Sequence, residues 1–416
     1  MVLSYSHPGY IPKAIDARAS KETGIQYFRP AIEPVHLIAN KRTFVSELTN
    51  RCVLPLCQQV IVVLQDKIAQ FGYKAVVHFE LEGVYQTARG HKGLDYAGVN
   101  HALRQLGING MLKTEFWHQQ WEYVSLFNGQ FPLREAQDLA KAMDQLPAIM
   151  RRFGAQSVSF SPVAWAGDKG RYVSGSGSIF STDRRSVHIP NAIQMNVSVQ
   201  DSAGENLIPS TELGEWIQYQ LLLTSLSCCL FFLPEEDAFK RLTLRSDYGL
   251  EAELSSPFVL SGGHQGSIAL YKKWGKHNQP MGREPFIYGA DRDVLSYTDD
   301  WQKTARIEHR IGATSKSYDP FLNMVFILLN VLDAIEQWKS HKDVPGGVQN
   351  RALPVSLYDN SPAFLGAISL FEQEDWFARR VDHYCKDTLE ATSQSAGRTL
   401  KHRYLQRFKP VIELYS

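Results

Sequence analysis

The sequence predicts an α+β fold in which helices pack on an antiparallel sheet, and three observations carry that expectation. Apolar and polar residues alternate from Tyr73 to Tyr85, the period of a half-buried strand. Long amphipathic or apolar patterns of helical spacing stand well away from it, at 133–153 and 320–339. Strands and helices then follow one another without the strict alternation that a doubly wound parallel sheet requires.

The elements read as follows along the chain. Residues 1 to about 45 contain proline and are weakly patterned, which suits a surface path or a small irregular unit. From Thr43 to Phe71 the residues Leu54, Val60, Val63, Leu64 and Ile68 recur at helical spacing, and Gly72 is placed as a C-cap. In the strand that follows, Val77, Phe79 and Leu81 point one way while His78, Glu80 and Glu82 point the other. Leu133 to Phe153 is an amphipathic helix, and Val158-Ser-Phe-Ser-Pro162 is strand-like. A Gly/Ser-rich stretch runs from Gly167 to Ser178, and Glu212 to Leu233 is helical. From Thr243 to Arg306 glycines and turn residues suggest hairpins and loops. Pro320 to Lys339 is an apolar helix, and the residues from Pro354 onward read as surface helices.

The chain has 416 residues, 44% of them hydrophobic, enough for a large core. A formal net charge of +1 gives no basic excess for nucleic acid and no acidic tail. Met1 to Ser20 lacks a signal-peptide core, and the apolar run Leu221 to Leu233 is too short to span a bilayer. The cysteines Cys52, Cys57, Cys228, Cys229 and Cys385 are odd in number and lack zinc spacing, which suits free thiols in a reducing compartment. The expectation is a soluble cytoplasmic protein without nucleic-acid or membrane partners.

Carboxylates mark the candidate site. Glu80 and Glu82 share one strand face, Glu115 and Glu122 follow at a spacing that needs a turn or bulge between them, and Glu308 lies in Arg306-Ile-Glu-His-Arg310. Mg²⁺ and Mn²⁺ demand such hard oxygen ligands, and arginines bind the phosphate oxygens those metals bridge. Plainer readings stand beside this one. Acids on strands also form solvated edges, and alternating charges such as those of 306–310 also form surface ion-pair ladders. Ser174-Gly-Ser-Gly-Ser178 is either a phosphate cradle or a flexible loop, since it lacks the P-loop lysine. Lys240-Arg241, read as following a helix, is either an anion clamp or a solvated helix end.

Taken in order, these pieces resemble the catalytic domain of glutamine synthetase. The Glu-x-Glu strand, then Glu115, Gln120 and Glu122, are followed by Phe160, Pro162, Gly167, Asp168 and Gly170 in the family's Phe-x-Pro-x-x-x-x-Gly-Asp-x-Gly pattern. Next come Phe239-Lys-Arg-Leu242, the Arg-x-Glu-x-Arg strand, Asp319-Pro-Phe-Leu322 and Leu353-Pro-Val-Ser-Leu357. The resemblance implies a curved antiparallel sheet carrying the site in a catalytic domain of residues 74–416, with a reduced N-terminal region of residues 1–73. It further implies that Glu82, Glu115 and Glu122 hold a metal at the substrate carboxylate, and that Glu80 and Glu308 hold one at the nucleotide phosphates. Arg306 would contact phosphate, with Ser174, Ser176 and Arg283 also on the nucleotide side. Arg241 and Arg310 would contact the acid substrate or the transferred phosphoryl group, and Glu251 or Glu253 would be the glutamate of the flap. The implied cofactors are ATP and Mg²⁺ or Mn²⁺, the partners small carboxylate and amine substrates, and the assembly a homo-oligomer.

The departures from the family are specific. Its metal-binding histidine is replaced by Ser174 and a second histidine by Ser176, while an asparagine near the substrate is replaced by Lys169. A hydroxyl is a poor substitute for imidazole, so His78, two residues before Glu80 on the same face, is the candidate replacement; the plain alternative is a partner for a neighbouring glutamate. The family's Trp-Gly-x-x-Asn-Arg run stands either as Trp274-Gly-Lys-His-Asn278-Gln279, with Arg283 as the nearest arginine, or in a register through Gly262 and Gln265 that loses both arginines. No segment before Glu80 matches the loop with which the family holds ammonium. The expected activity is therefore an ATP-dependent carbon–nitrogen ligase joining a glutamate-like acid to an amine other than free ammonia. The alternative is a catalytically impaired relative with a binding or regulatory role.

Overall fold

The alternation at 73–85 becomes the central strand of the molecule. The computed structural model describes residues 54–87, 93–115, 119–166, 187–247, 267–273, 301–340, 343–345, 351–386, 388 and 395–408. In it Lys74–Thr87 forms β1, whose Val77, Phe79 and Leu81 are fully buried. Gly110–Thr114 and Gln120–Ser125 form the hairpin β2–β3, and β3 lies along one edge of β1 with Glu80 opposite Val124 and Glu82 opposite Glu122. Ala155–Ser159 (β4) pairs with the end of β1 on the other edge. Val163–Ala166 (β5) and Val187–Pro190 (β6) make a separate two-stranded sheet. Ile193–Gln200 (β7) then runs beside β1 from Leu81 back to Lys74. Ile268–Tyr271 (β8) and Arg306–His309 (β9) complete the main sheet in the order β2-β3-β1-β7-β9-β8, with β4 on β1. Among the described residues every pairing is antiparallel, as the lack of βαβ alternation predicts.

Helices cover the apolar face of this sheet. Residues 54–70 form α1, whose Cys57, Val60, Ile61, Leu64 and Ile68 enter the core. The helix stops where the sequence places its cap. Gly72 adopts a φ of +82°, and the N–H groups of Gly72 and Tyr73 close back on Ala69 and Ile68. Residues 49–416, α1 included, form a compact unit of their own. Tyr96–Gln105 (α2) and Pro132–Arg152 (α3) follow, and α3 packs on β1 and β4. Leu213–Thr224 (α4) packs on β8 and β9. The expected helix through Leu233 is shorter than its apolar pattern, because the chain turns at 225–228 and a 3₁₀ segment, Cys229–Phe231, drops Phe231 and Phe232 into the core.

Glu236–Asp247 forms α5, so Lys240 and Arg241 lie within a helix rather than after one. Pro320–Lys339 (α6) matches the predicted range, with Asp319 capping the N–H groups of Phe321 and Leu322 and Pro320 in the first turn. It is the one helix among the described residues long and apolar enough to cross a membrane, and 83% of that stretch is buried inside the molecule. Ala367–Gln373 (α7), Trp376–Cys385 (α8) and Ala396–Gln406 (α9) close the fold. They are more than a surface layer: Phe371, Phe377 and Tyr404 pack around Phe231 with ring centroids 4.8–5.3 Å away. Cys57, Cys228, Cys229 and Cys385 are buried free thiols.

Candidate functional site

Burying Val77, Phe79 and Leu81 commits His78, Glu80 and Glu82 to the opposite face of the sheet. Strand register carries that choice sideways. His78 lies opposite Asn196 and Asn196 opposite Glu308, one row across β1, β7 and β9. Glu82 lies opposite Glu122 and Glu122 opposite Lys113, a second row across β1, β3 and β2. The turn required between Glu115 and Glu122 is the β2–β3 hairpin itself, in which the Glu115 N–H donates to the Gln120 carbonyl at 3.2 Å. The described acids from three distant stretches therefore stand on one face.

A hydrogen-bonded chain runs from Glu80 through Asn196 of the first row to β9. Asn196 Nδ2 donates to Glu80 Oε1 at 2.9 Å, and Arg306 Nε donates to Asn196 Oδ1 at 2.7 Å. Arg306 Nη2 then reaches Glu308 Oε2 at 3.0 Å, and Arg310 Nε lies 3.4 Å from Glu308 Oε1. Tyr271 faces both arginines, its ring 4.8 Å from the Arg306 guanidinium and its hydroxyl accepting from Arg310 Nη1 at 2.6 Å. Glu308 is fully buried and Arg306 nearly so, a position an ion keeps only with good partners. A surface ladder, the plainer reading of 306–310, is thereby excluded.

The second row carries a cation of its own. Lys113 Nζ is ion-paired with Glu122 and lies 4.0 Å from Glu115. Burial works to lower its pKa, but attraction by Glu122, Glu115 and Glu80 outweighs it and the net shift is upward. Glu82 Oε2 accepts the Ala192 N–H at 2.7 Å and faces Gln120 Nε2 at 3.5 Å. Sequence reasoning passed over Lys113, although its position two residues before Glu115 puts it on the same strand face. Asn196 was missed too, although Ile193, Met195, Val197 and Val199 alternate with Gln194, Asn196 and Ser198 as plainly as any stretch of β1.

His78 is buried and stacked on Phe127, with ring centroids 4.2 Å apart. Neither of its ring nitrogens has a hydrogen-bond partner among the described residues, so it is no hydrogen-bonded partner of a glutamate. Burial, and after it the charge of Arg306, push its pKa down to about 3 against the pull of Glu80. The imidazole is neutral at pH 7, the form that ligates metal. Buried neutral His309, on the core side of β9, meets Ser225 Oγ at 3.1 Å and also has a pKa of about 3 through burial.

The donor sets answer differently to a divalent cation. Around Glu80 and Glu308 the carboxylate oxygens are of the kind Mg²⁺ or Mn²⁺ takes, with the His78 nitrogens on the same face. Both oxygens of Glu308 already face guanidinium groups, however, Arg306 at 3.0 Å and Arg310 at 3.4 Å, which a metal would have to displace. At Glu115 and Glu122 an ammonium already sits against the oxygens, and the residues do not fit a metal while it stays. Among the described residues no three His, Cys, Asp or Glu side chains are gathered closely enough to hold a metal by themselves.

Arg241 is buried on α5 and donates Nη1 to the Ile311 carbonyl at 3.0 Å, one residue beyond Arg310. The Leu353–Leu357 turn is tied to the first turn of α5 through Glu236, which accepts from Ser356 Oγ at 2.9 Å and Leu357 N–H at 2.8 Å. Ser174, Ser176, Glu251, Glu253 and Arg283 lie outside the described residues, as do Asp168, Lys169 and the Trp274–Gln279 run. Away from the two rows, Glu135 on α3 is buried against Gln130 and Asn109, and burial lifts its pKa to about 8 although its hydrogen bonds pull downward.

No protein-family model matches the sequence, and no curated relative is found by sequence similarity. Solved structures do match the fold. A structure described as a novel glutamine synthase homologue aligns with a TM-score of 0.54 at 15% identity, over 84% of this chain and 69% of its own. The complex of GmaS with ADP aligns with a TM-score of 0.51 at 13% identity, over 86% and 75%. The glutamine synthetase of Plasmodium falciparum aligns at 0.51 and 11% identity, over 84% and 75%. The helix-backed antiparallel sheet with its polar face is therefore a glutamine synthetase-like fold. Within that class this chain is a divergent version, for identities of 11–15% speak to fold alone.

Proposed function

We propose that the protein is an ATP-dependent carboxylate–amine ligase that makes an amide through an acyl phosphate, joining a glutamate-like acid to an amine other than free ammonia. The observation that carries this reading is the chain of linked side chains from Glu80 through Asn196 and Arg306 to Glu308 and Arg310, on the polar face of a glutamine synthetase-like sheet. Charge so concentrated and so thoroughly braced suits an anionic, phosphate-bearing ligand better than water.

In the first step an oxygen of the substrate carboxylate attacks the γ-phosphorus of ATP, and the bond to the β-phosphate oxygen breaks with its electron pair leaving on ADP. In the second the amine nitrogen attacks the acyl carbon, inorganic phosphate leaves with the C–O electron pair, and the nitrogen gives up a proton. Arg310, held by Tyr271 and Glu308, offers its guanidinium to the phosphoryl oxygens, where fixed donors outperform water because they need no reorganisation. Arg306 steadies Glu308 and the phosphate side, with Ser174, Ser176 and Arg283 as further nucleotide contacts. Arg241 positions Arg310 through the Ile311 backbone. Glu253 is assigned to the flap over the substrate. Glu80, Glu308 and His78 would contribute to holding the divalent cation only together with the nucleotide, and when bound the cation neutralises phosphate oxygens. Glu82, Glu115 and Glu122, with Lys113, face the acid end of the site. The buried thiols suit a cytoplasmic protein, and the fold class suits a homo-oligomer.

Two measurements test this. Mg²⁺ with ATP should raise the melting temperature, by the equivalent of about 2.7 kcal/mol at a hundred times Kd. Phosphate release should appear with one acid–amine pair from a panel. No stabilisation by nucleotide would refute the proposal. Stabilisation without turnover under any pair would favour the second reading, a catalytically impaired relative that binds or regulates, which the exchange of both histidines for Ser174 and Ser176 supports.

A further inference from the structure

We propose that Lys113 is a built-in cation that takes the place of a metal ion at Glu115 and Glu122, so that the substrate-side half of the site is closed by an ammonium. This rests on reading the face as a metal–nucleotide site, and it removes from that reading the metal subsite at Glu115 and Glu122.

Glu82 and Glu122 lie directly opposite each other on β1 and β3, an arrangement in which like charges repel and some cation is required. The required charge comes from the same hairpin. Lys113 on β2 is the register partner of Glu122, pairs with it, and stands 4.0 Å from Glu115. The pair is enclosed, the side chains of Lys113 and Glu122 being only 12% and 5% exposed. A Mg²⁺ or Mn²⁺ ion at about 2.0–2.2 Å from those oxygens would share them with the ammonium, and like charges at that distance in a poorly hydrated place exclude one another. Glu82, the third acid, turns an oxygen to the Ala192 N–H instead.

The exchange changes what the subsite can do. An ammonium attracts an anionic oxygen through N–H donors but offers no open coordination position. The ligand it suits is a carboxylate or an acyl-phosphate oxygen, gripped by charge and hydrogen bond. An acid substrate would thus be oriented by Lys113 directly.

Counting Mn²⁺ sites decides the matter. Mn²⁺ alone, without nucleotide, is titrated into the full chain and the free ion is followed by electron paramagnetic resonance, for the wild type and for Lys113→Met, which keeps length and removes charge. The variant is expected to bind one Mn²⁺ more per chain than the wild type. Lys113→Arg should match the wild type, and adding Glu122→Gln to Lys113→Met should abolish the extra site. Equal counts for wild type and a variant that melts cooperatively overturn the inference; if methionine prevents folding, Lys113→Gln is read in the same way. Failure of nucleotide to stabilise either protein would end the ligase reading and leave this difference in counts standing.

Discussion

Single residues set the pH behaviour of this protein. His78 and His309 titrate near 3 when folded, against 6.5 when exposed, so below pH 6.5 the unfolded chain takes up two protons that the folded chain refuses. Stability from these two is present above pH 6.5 and is lost as the pH falls toward 3. Glu135 has the opposite sign. Its carboxyl titrates near 8 when folded and near 4.5 when exposed, so the folded chain holds the extra proton, and stability rises as the pH falls from 8. Of these three groups only Glu135 contributes between pH 8 and 6.5, and between 6.5 and 4.5 two histidines oppose one glutamate. Glu235 and Asp333, whose pKa values burial also raises, act in the same direction as Glu135. The three together give a maximum near pH 6.5, with limbs of about 1.4 kcal/mol per pH unit on either side. Denaturant midpoints across pH 5–8 should show that maximum, and Glu135→Gln should flatten the alkaline limb; an unchanged limb would contradict the burial assigned to Glu135.

At the scale of elements, the site depends on where β1 sits against β3. Gly83 lies between Glu82 and Val84, and a Cβ there would stand 2.3 Å from the Trp121 ring and 2.7 Å from the Ser159 carbonyl. The Trp121 ring has no room to yield, because it is fully buried and packed edge-on against Phe160 at 5.2 Å. Gly83→Ala should therefore cost about 2 kcal/mol or more, at the upper end for overpacking, and should move Glu82 relative to Glu122. The pairing that brings Glu82, Glu122 and Lys113 together would loosen with it. A loss below about 0.5 kcal/mol in urea unfolding would show that this strand contact is slack.

Across the whole molecule, the sheet and the last helices form one cooperative core. Phe231, at the end of the run after α4, is enclosed by Phe371 of α7, Phe377 of α8 and Tyr404 of α9, and the Tyr404 hydroxyl donates to the Leu230 carbonyl at 2.8 Å. Asp333 of α6 further binds Arg380, Trp376 and Tyr384 of α8. Removing everything after Gly366 would expose this cluster, which also supports α6 and, through α4, the strand that carries Arg306 and Glu308. The shortened chain should lose its cooperative melting transition by circular dichroism. A sharp transition retained after truncation would show that the helices are an independent addition.

The sequence by itself determined the strand at 73–85, the Gly72 cap, the helix at 320–339 and the membership of Glu80, Glu82 and Glu308 in a polar face, because periodicity and capping act between near neighbours. Tertiary structure alone decided what those acids meet. Asn196 bridges Glu80 and Arg306 across more than a hundred residues, Arg241 reaches a carbonyl beyond β9, and Lys113 of the neighbouring strand pairs with Glu122. Register between strands is fixed by packing of the opposite, apolar face, so the partner of each charge follows from a core that no local pattern contains.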